Sequence, residues 1–225
     1  MEWSPPFDYL VTSYFPALRR MGYRVEVELK RFGWYPVGGG EIVCEIAGSL
    51  ADHDAMRPRP IETADRGPLR RISGRAIAAN LPAHIPQRMA DRALASLGDL
   101  HVPVDVEPQL ITAACPGAGI FLLAEYQDFS ASFSAYGRLG KPSEAVADQA
   151  VAAFREHHAS LAAVELHLAD QLLLPLANAT GTSAFTTLRP SGHLATNAWT
   201  IGQFGIATIS IADGTPCRVR VERRV

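Results

Sequence analysis

The stretch AVELHLADQLLLPLANA, residues 163–179, sets His167, Asp170 and Gln171 among leucines and alanines. A helix that is apolar almost all round has to be buried, so the pattern predicts a core helix over 163–179. Just before it, LGKPSEAVADQAVAAFREHHAS (139–160) places Pro142 and Ser143 ahead of a long helical pattern, a helix-start signature. Just after it come short strand-like pieces, SAFTTL, GIATISIA and CRVRVE. Paired helices facing a sheet make an α+β chain.

The N-terminal side carries the same mixture. Residues 5–22 predict a helix with Phe7, Leu10, Val11, Tyr14, Leu18 and Met21 on one stripe, shortened or kinked by Pro16 and stopped by Gly22. YRVEVELKRF (23–32) alternates apolar and charged residues, as a half-buried strand does, and EIVCEIA (41–47) returns as a second strand. Residues 48–68 are polar and proline-rich, a loop or boundary. Beyond it, a strand at 70–80, a helix at 84–98 and strands at 102–108, 119–126 and 129–136 predict a compact α/β unit with its own core.

Composition excludes some classes. The 225 residues have a net charge of −2, so bulk electrostatic capture of nucleic acid is not expected, and any RNA contact should be local. No apolar run reaches the roughly 20 residues that cross a bilayer, and MEWSPPFDYL lacks the basic flank and apolar core of a signal peptide. Cys44, Cys115 and Cys217 are far apart and in no metal-ligand spacing, which fits a reducing, cytoplasmic setting. In the basic tail RVRVERRV, the alternation of Arg218 and Arg220 with Val219 and Val221 reads as a strand with one solvated face.

Three stretches are able to carry chemistry. In GWYPVGGGEI (33–42), consecutive glycines serve either a hairpin turn or a phosphate cradle, and the strand that follows favours the hairpin. In HLADQ (167–171), helical spacing puts His167, Asp170 and Gln171 on adjoining turns, either as a satisfied buried cluster or as a site. In RPSGHLATN (189–197), Pro190, Ser191 and Gly192 let the chain turn sharply and leave His193 accessible, as a nucleophile or as an ordinary polar residue. His157 and His158 lack a third ligand partner and read as a solvated helix end.

SPPFDYL, GWYPVGGGE, PGAGIFLLAEY, GKPSEAVADQA, HLADQLLLPLA and SGHLATN, in that order, resemble the RNA 3'-terminal phosphate cyclase family over nearly the whole chain. The resemblance implies repeats of a four-stranded sheet with two helices, plus an inserted, smaller thioredoxin-like α/β domain. It implies a main domain of 1–68 and 138–225 around an insert at 69–137. The chain starts where the family's sequence is in its middle, so a first repeat is expected to be missing and apolar surface exposed.

For function, the resemblance implies ATP-dependent conversion of an RNA 3'-phosphate into a 2',3'-cyclic phosphate, with Mg2+ or Mn2+. His193 matches the nucleotidyl-accepting histidine; His167, Leu168, Ala169, Asp170 and Gln171 match the nucleotide-binding segment, with Asp170 as orienting carboxylate. Pro5, Pro6 and Phe7 match a wall of the adenine site. Phe32 stands where the family more often has a basic residue. A neutral imidazole attacks phosphorus without prior deprotonation, which suits His193 to that role. The rival is a non-catalytic, cyclase-like RNA or ribosome-assembly scaffold, whose members lack this histidine. An enolpyruvyl transferase would need Lys and Arg clusters that the chain does not show.

Overall fold

The computed structural model describes residues 4–47 and 58–224. These residues form a mixed α+β fold with three sheets among them. The chain gathers into two compact units, one of residues 1–12, 27–44 and 68–156, the other of residues 13–26, 45–67 and 157–225.

The first unit is built on β4 (Leu69–Ala79), α3 (His84–Leu97), β5 (Val104–Ile111), β6 (Gly117–Tyr126), β7 (Ser130–Tyr136) and α4 (Ser143–Ser160), with α4 belonging to it up to Glu156. Strand order is β5-β4-β6-β7, with β4 and β5 parallel across α3 and the other two pairings antiparallel. Alternation decides which face is buried: Ala118, Ile120, Leu122, Ala124 and Tyr126 of β6 all point into one core. Met89, Ala90, Ala93 and Leu97 of α3 and Val146, Ala147, Ala150, Val151 and Phe154 of α4 cover it at helical spacing. Phe154 meets Phe133 edge-on at 5.8 Å, a geometry that adds about 1 kcal/mol to the burial of either ring. The core therefore runs past residue 137 into α4. Pro108 lies in β5 because β5 is an edge strand with a free N–H side.

The second unit holds the sheet β3-β8-β10-β9, formed by β3 (Glu62–Thr63), β8 (Thr182–Thr187), β9 (Ala207–Ala212) and β10 (Cys217–Arg223). β10 runs antiparallel to both neighbours, and β3 pairs parallel with β8. Val219 and Val221 are fully buried while Arg218 and Arg220 are exposed, as the alternation of the tail requires. Residues 48–57 of the expected 48–68 loop lie outside the described residues, and the remainder carries β3 and the buried Arg66.

Three expectations need correction. The helix expected over 5–22 is broken into α1 (Phe7–Tyr9), a π-helical turn (Leu10–Tyr14) and α2 (Phe15–Arg20). Pro16 has no N–H to give the preceding turn, so the hydrogen-bond ladder is offset there. The buried set becomes Tyr9, Ser13, Phe15, Ala17, Leu18 and Met21, leaving Phe7, Leu10, Val11 and Tyr14 half-buried.

The helix expected over 163–179 begins only after an extended Glu165 and splits into α5 (Leu166–Gln171) and α6 (Leu173–Ala177), with Val164 bridging to Thr187. Pro175 removes one donor from that ladder. Nor is the segment buried all round, since His167 is exposed and Asp170 and Gln171 half-buried.

His157 is not a solvated helix end. It is 3% exposed, and burial first, then the nearby Arg66 guanidinium, push its imidazole down to about 3. Arg66 donates to the carbonyls of Ala162 and, at 2.6 Å, His158, capping the end of α4 with positive charge.

The strands β1 (Arg24–Arg31) and β2 (Glu41–Ala47) pair in a two-stranded sheet, matching the alternation in the sequence. Ile42, Val43 and Ile46 of β2 are exposed, as is Trp199 at 66%.

Candidate functional site

Two places gather the residues singled out in the sequence. One lies at the ends of α5 and of α7 (Gly192–Gln203), inside the second unit. Glu165 stands in extended backbone as the N-cap of α5, where its Oε2 accepts the backbone N–H groups of His167 at 2.9 Å and Leu168 at 3.2 Å. Its other oxygen, Oε1, sits 2.7 Å from Nδ1 of His167. That contact, more than any other influence, raises the pKa of His167. Leu168 and Ala169 are fully buried and anchor the helix, leaving His167, Asp170 and Gln171 as its outward members.

Helix α7 is started by Ser191, whose Oγ accepts the Leu194 N–H at 3.0 Å, and held by the buried Leu194 and Ile201. His193 is exposed in its first turn. Asn197, one turn on, donates from Nδ2 to Oδ2 of Asp170 at 3.3 Å and to the Asp170 carbonyl at 3.4 Å. Burial raises the pKa of Asp170, and the facing His193 pulls it back. So the structure brings His167, Asp170 and His193 together at one pair of helix ends.

The sequence reading missed Glu165. Glu is not among the usual N-cap residues, and the helical pattern of 163–179 runs straight through it, so the sequence carries no signal for this cap.

The other place lies within the first unit, a cavity of about 400 Å3. Pro5, Pro6 and Phe7 line it, with Phe32 and Trp34 from the β1–β2 connection and Tyr136 from β7. The connection is a hairpin, as its spacing favoured: Gly38 N–H donates to the Trp34 carbonyl at 2.6 Å, and Tyr35–Pro36 is cis. Trp34 lies against glycine backbone, because a Cβ on Gly117 would fall 2.3 Å from its ring. Its ring meets Tyr136 edge-on at 6.3 Å, and its buried Nε1 has no hydrogen-bond partner among the described residues. Burial pushes the Tyr136 phenol up. Arg75 donates from Nε to Asp8 at 2.6 Å and lies over the Phe32 ring at 5.6 Å, and a second ion pair, Arg31 with Glu41 at 3.1 Å, also lines the cavity. Phe32 thus faces a cation supplied by β4.

Among the described residues, no cluster of three or more His, Cys, Asp or Glu side chains is placed to hold a metal ion. Likewise, no helix among them is long and apolar enough to cross a membrane.

The profile described as RNA 3'-terminal phosphate cyclase matches residues 1–211. The chain belongs to this family. A protein from Methylococcus capsulatus named RNA 3'-terminal phosphate cyclase is 48% identical over 208 residues, 92% of this chain and 56% of that protein. A cyclase of the same name from Gloeothece citriformis is 42% identical over 94% of this chain and 59% of its own length. One from Thermococcus gammatolerans is 35% identical over 100% of this chain and 64% of its own. The chain thus spans little more than half the length of the first two curated relatives.

Proposed function

We propose that this chain carries the nucleotidyl-transfer chemistry of an ATP-dependent RNA 3'-terminal phosphate cyclase, with His193 as nucleophile. The observation that supports the reading most is the accessible His193 imidazole facing the half-buried Asp170 across two helix ends. A scaffold has no use for that pairing.

The terminal phosphate of RNA is a poor electrophile with no leaving group. His193 attacks the α-phosphorus of ATP, a P–N bond forms, and the bond to pyrophosphate breaks. AMP then passes to the RNA 3'-phosphate, and the adjacent 2'-hydroxyl displaces AMP to close the cyclic phosphate. The N-terminal end of α7 turns its partial positive charge toward the same phosphates. Asp170 orients the imidazole and favours its charge as the P–N bond forms. It is also the carboxylate available to a divalent ion, which takes few protein ligands when phosphates and water supply the rest. Mg2+ or Mn2+ bound there would neutralise phosphate charge.

Pro5, Pro6 and Phe7 are assigned to the adenine wall, and HLADQ to the nucleotide. The order β4-α3-β5-β6-β7-α4 supports a thioredoxin-like insert, taken as 69–137 with α4 leaning on it, within a main domain of 1–68 and 138–225 built from sheet-and-helix repeats. Three unpaired cysteines suit a cytoplasmic protein.

The test is an oligoribonucleotide ending in a 3'-phosphate, given ATP and Mg2+. The 3' end should become resistant to phosphatase with one AMP and one pyrophosphate released per end. Release of AMP without end protection would reject cyclisation.

A further inference from the structure

Glu165 is the most deeply buried acid near the α5–α7 cluster, and the chemistry above does not use it. Its side chain is 6% exposed, while that of His167 is 78% exposed. Both Glu165 oxygens are committed, Oε2 to two backbone N–H groups and Oε1 to Nδ1 of His167. A carboxylate can only accept there, so Nδ1 must donate. The ring is thereby fixed in one tautomer, with Nε2 turned away from its partner.

We propose that Glu165 is a positioning residue of the nucleotide site: it holds His167 so that Nε2–H points outward as a cationic donor to a phosphate oxygen of bound ATP. This rests on the reading of HLADQ as a nucleotide segment. The charged groups around the ring agree with it. Glu165 and Asp170 on its own segment both favour the imidazolium; α7 brings His193, which faces Asp170; α6, of sequence LLPLA, brings no titratable group.

A charge-assisted donor at this place matters most when pyrophosphate leaves. The P–N bond forms at His193, the P–O bond breaks, and the electron pair stays on pyrophosphate, while His167 keeps its proton and offers it as a hydrogen bond. A helix cap alone would require none of this, because Oε2 already provides the capping.

The sign follows from the geometry. A histidine partnered by a carboxylate stays charged to higher pH, so phosphate binding should be strong in acid and weaken as pH rises through the His167 titration.

Two measurements on the chain with histidine 15N labels test this. In the first, the imidazole titration should show His167 protonated at Nδ1 and titrating above an ordinary histidine, and Glu165→Gln should return it to the ordinary range. In the second, calorimetry of ATP binding between pH 6 and 9 should show affinity falling about tenfold through that titration. His167→Ala, a change at an exposed side chain, should bind weakly and without that slope, and His167→Lys should restore binding with no slope up to pH 9.

Superimposable titrations of wild type and Glu165→Gln would overturn the proposal, as would a pH slope that survives in His167→Ala. ATP binding and AMP transfer to His193 that ignore both substitutions would remove Glu165 and leave the nucleophile standing. A wild type that binds no ATP would overturn the nucleotide-site reading and this proposal with it.

Discussion

The cavity beside Pro5–Phe7 is shaped by rings lying on glycine, whereas the cluster around Asp170 and His193 is shaped by hydrogen bonds at helix ends. In the first, Trp34 fits because Gly117 has no side chain, and the charges at its wall are paired, Arg75 with Asp8 and Arg31 with Glu41. In the second, Glu165 and Ser191 each start a helix, and the imidazoles they carry remain open to solvent. Shape sets the one place and electrostatics the other. The first should respond to changes of volume and the second to changes of charge and pH.

The largest expected effects are volume changes in the ring cavity. Trp34→Ala should cost about 3 kcal/mol, read by chemical denaturation of the whole chain. Gly117→Ala should cost up to about 3 kcal/mol on its own, because the new Cβ and the indole claim the same space. In the Trp34→Ala background the same glycine change should cost almost nothing, and equal costs in both backgrounds would break the account of the pocket.

Charge changes in the other place should leave stability nearly untouched and act on chemistry. Asp170→Asn keeps shape and the contact with Asn197 but removes the charge facing His193, so AMP transfer should slow by ~10- to 100-fold. A loss of folding stability instead of rate would place Asp170 in the architecture.

The last effect is a slope, modest over any one pH unit. The native pKa of His157 is depressed to about 3, so the unfolded chain binds the extra proton first. Stability should be full above about pH 6.5 and fall below it by at most about 1.4 kcal/mol per pH unit. Hydrogen exchange should report that loss in the second unit, which holds His157. His157→Gln should flatten the slope, and an unchanged slope would move its origin elsewhere.

Much of this architecture was legible from local pattern. The alternation of 23–32 and 41–47 and the helical spacing of 84–98 became β1, β2 and α3 within a residue or two. Such signals need only neighbours in sequence. What stayed hidden depends on distant partners or on ladder geometry. His157 is buried, and the charge acting on it, Arg66, comes from 92 residues before His158 to cap the end of α4. The breaks around Pro16 and Pro175 change which residues face inward, and stripe-counting assumes an unbroken helix.

At the candidate site, residue types and spacing left both His193 and HLADQ open between structure and chemistry. The ordered set of family motifs is what tilted the reading. The structure adds their meeting at two helix ends, and with it Glu165, whose role depends on a side-chain contact that spacing does not reveal.

The account rests on His193 forming a bond to the α-phosphorus of ATP. Incubation with α-labelled ATP and Mg2+, followed by peptide mapping, should give one label, labile in acid and stable in base, on the peptide containing His193. It should vanish in His193→Ala, by ~10^3-fold or more. A label that persists in that variant, one stable to acid, or none on the wild-type chain would contradict it.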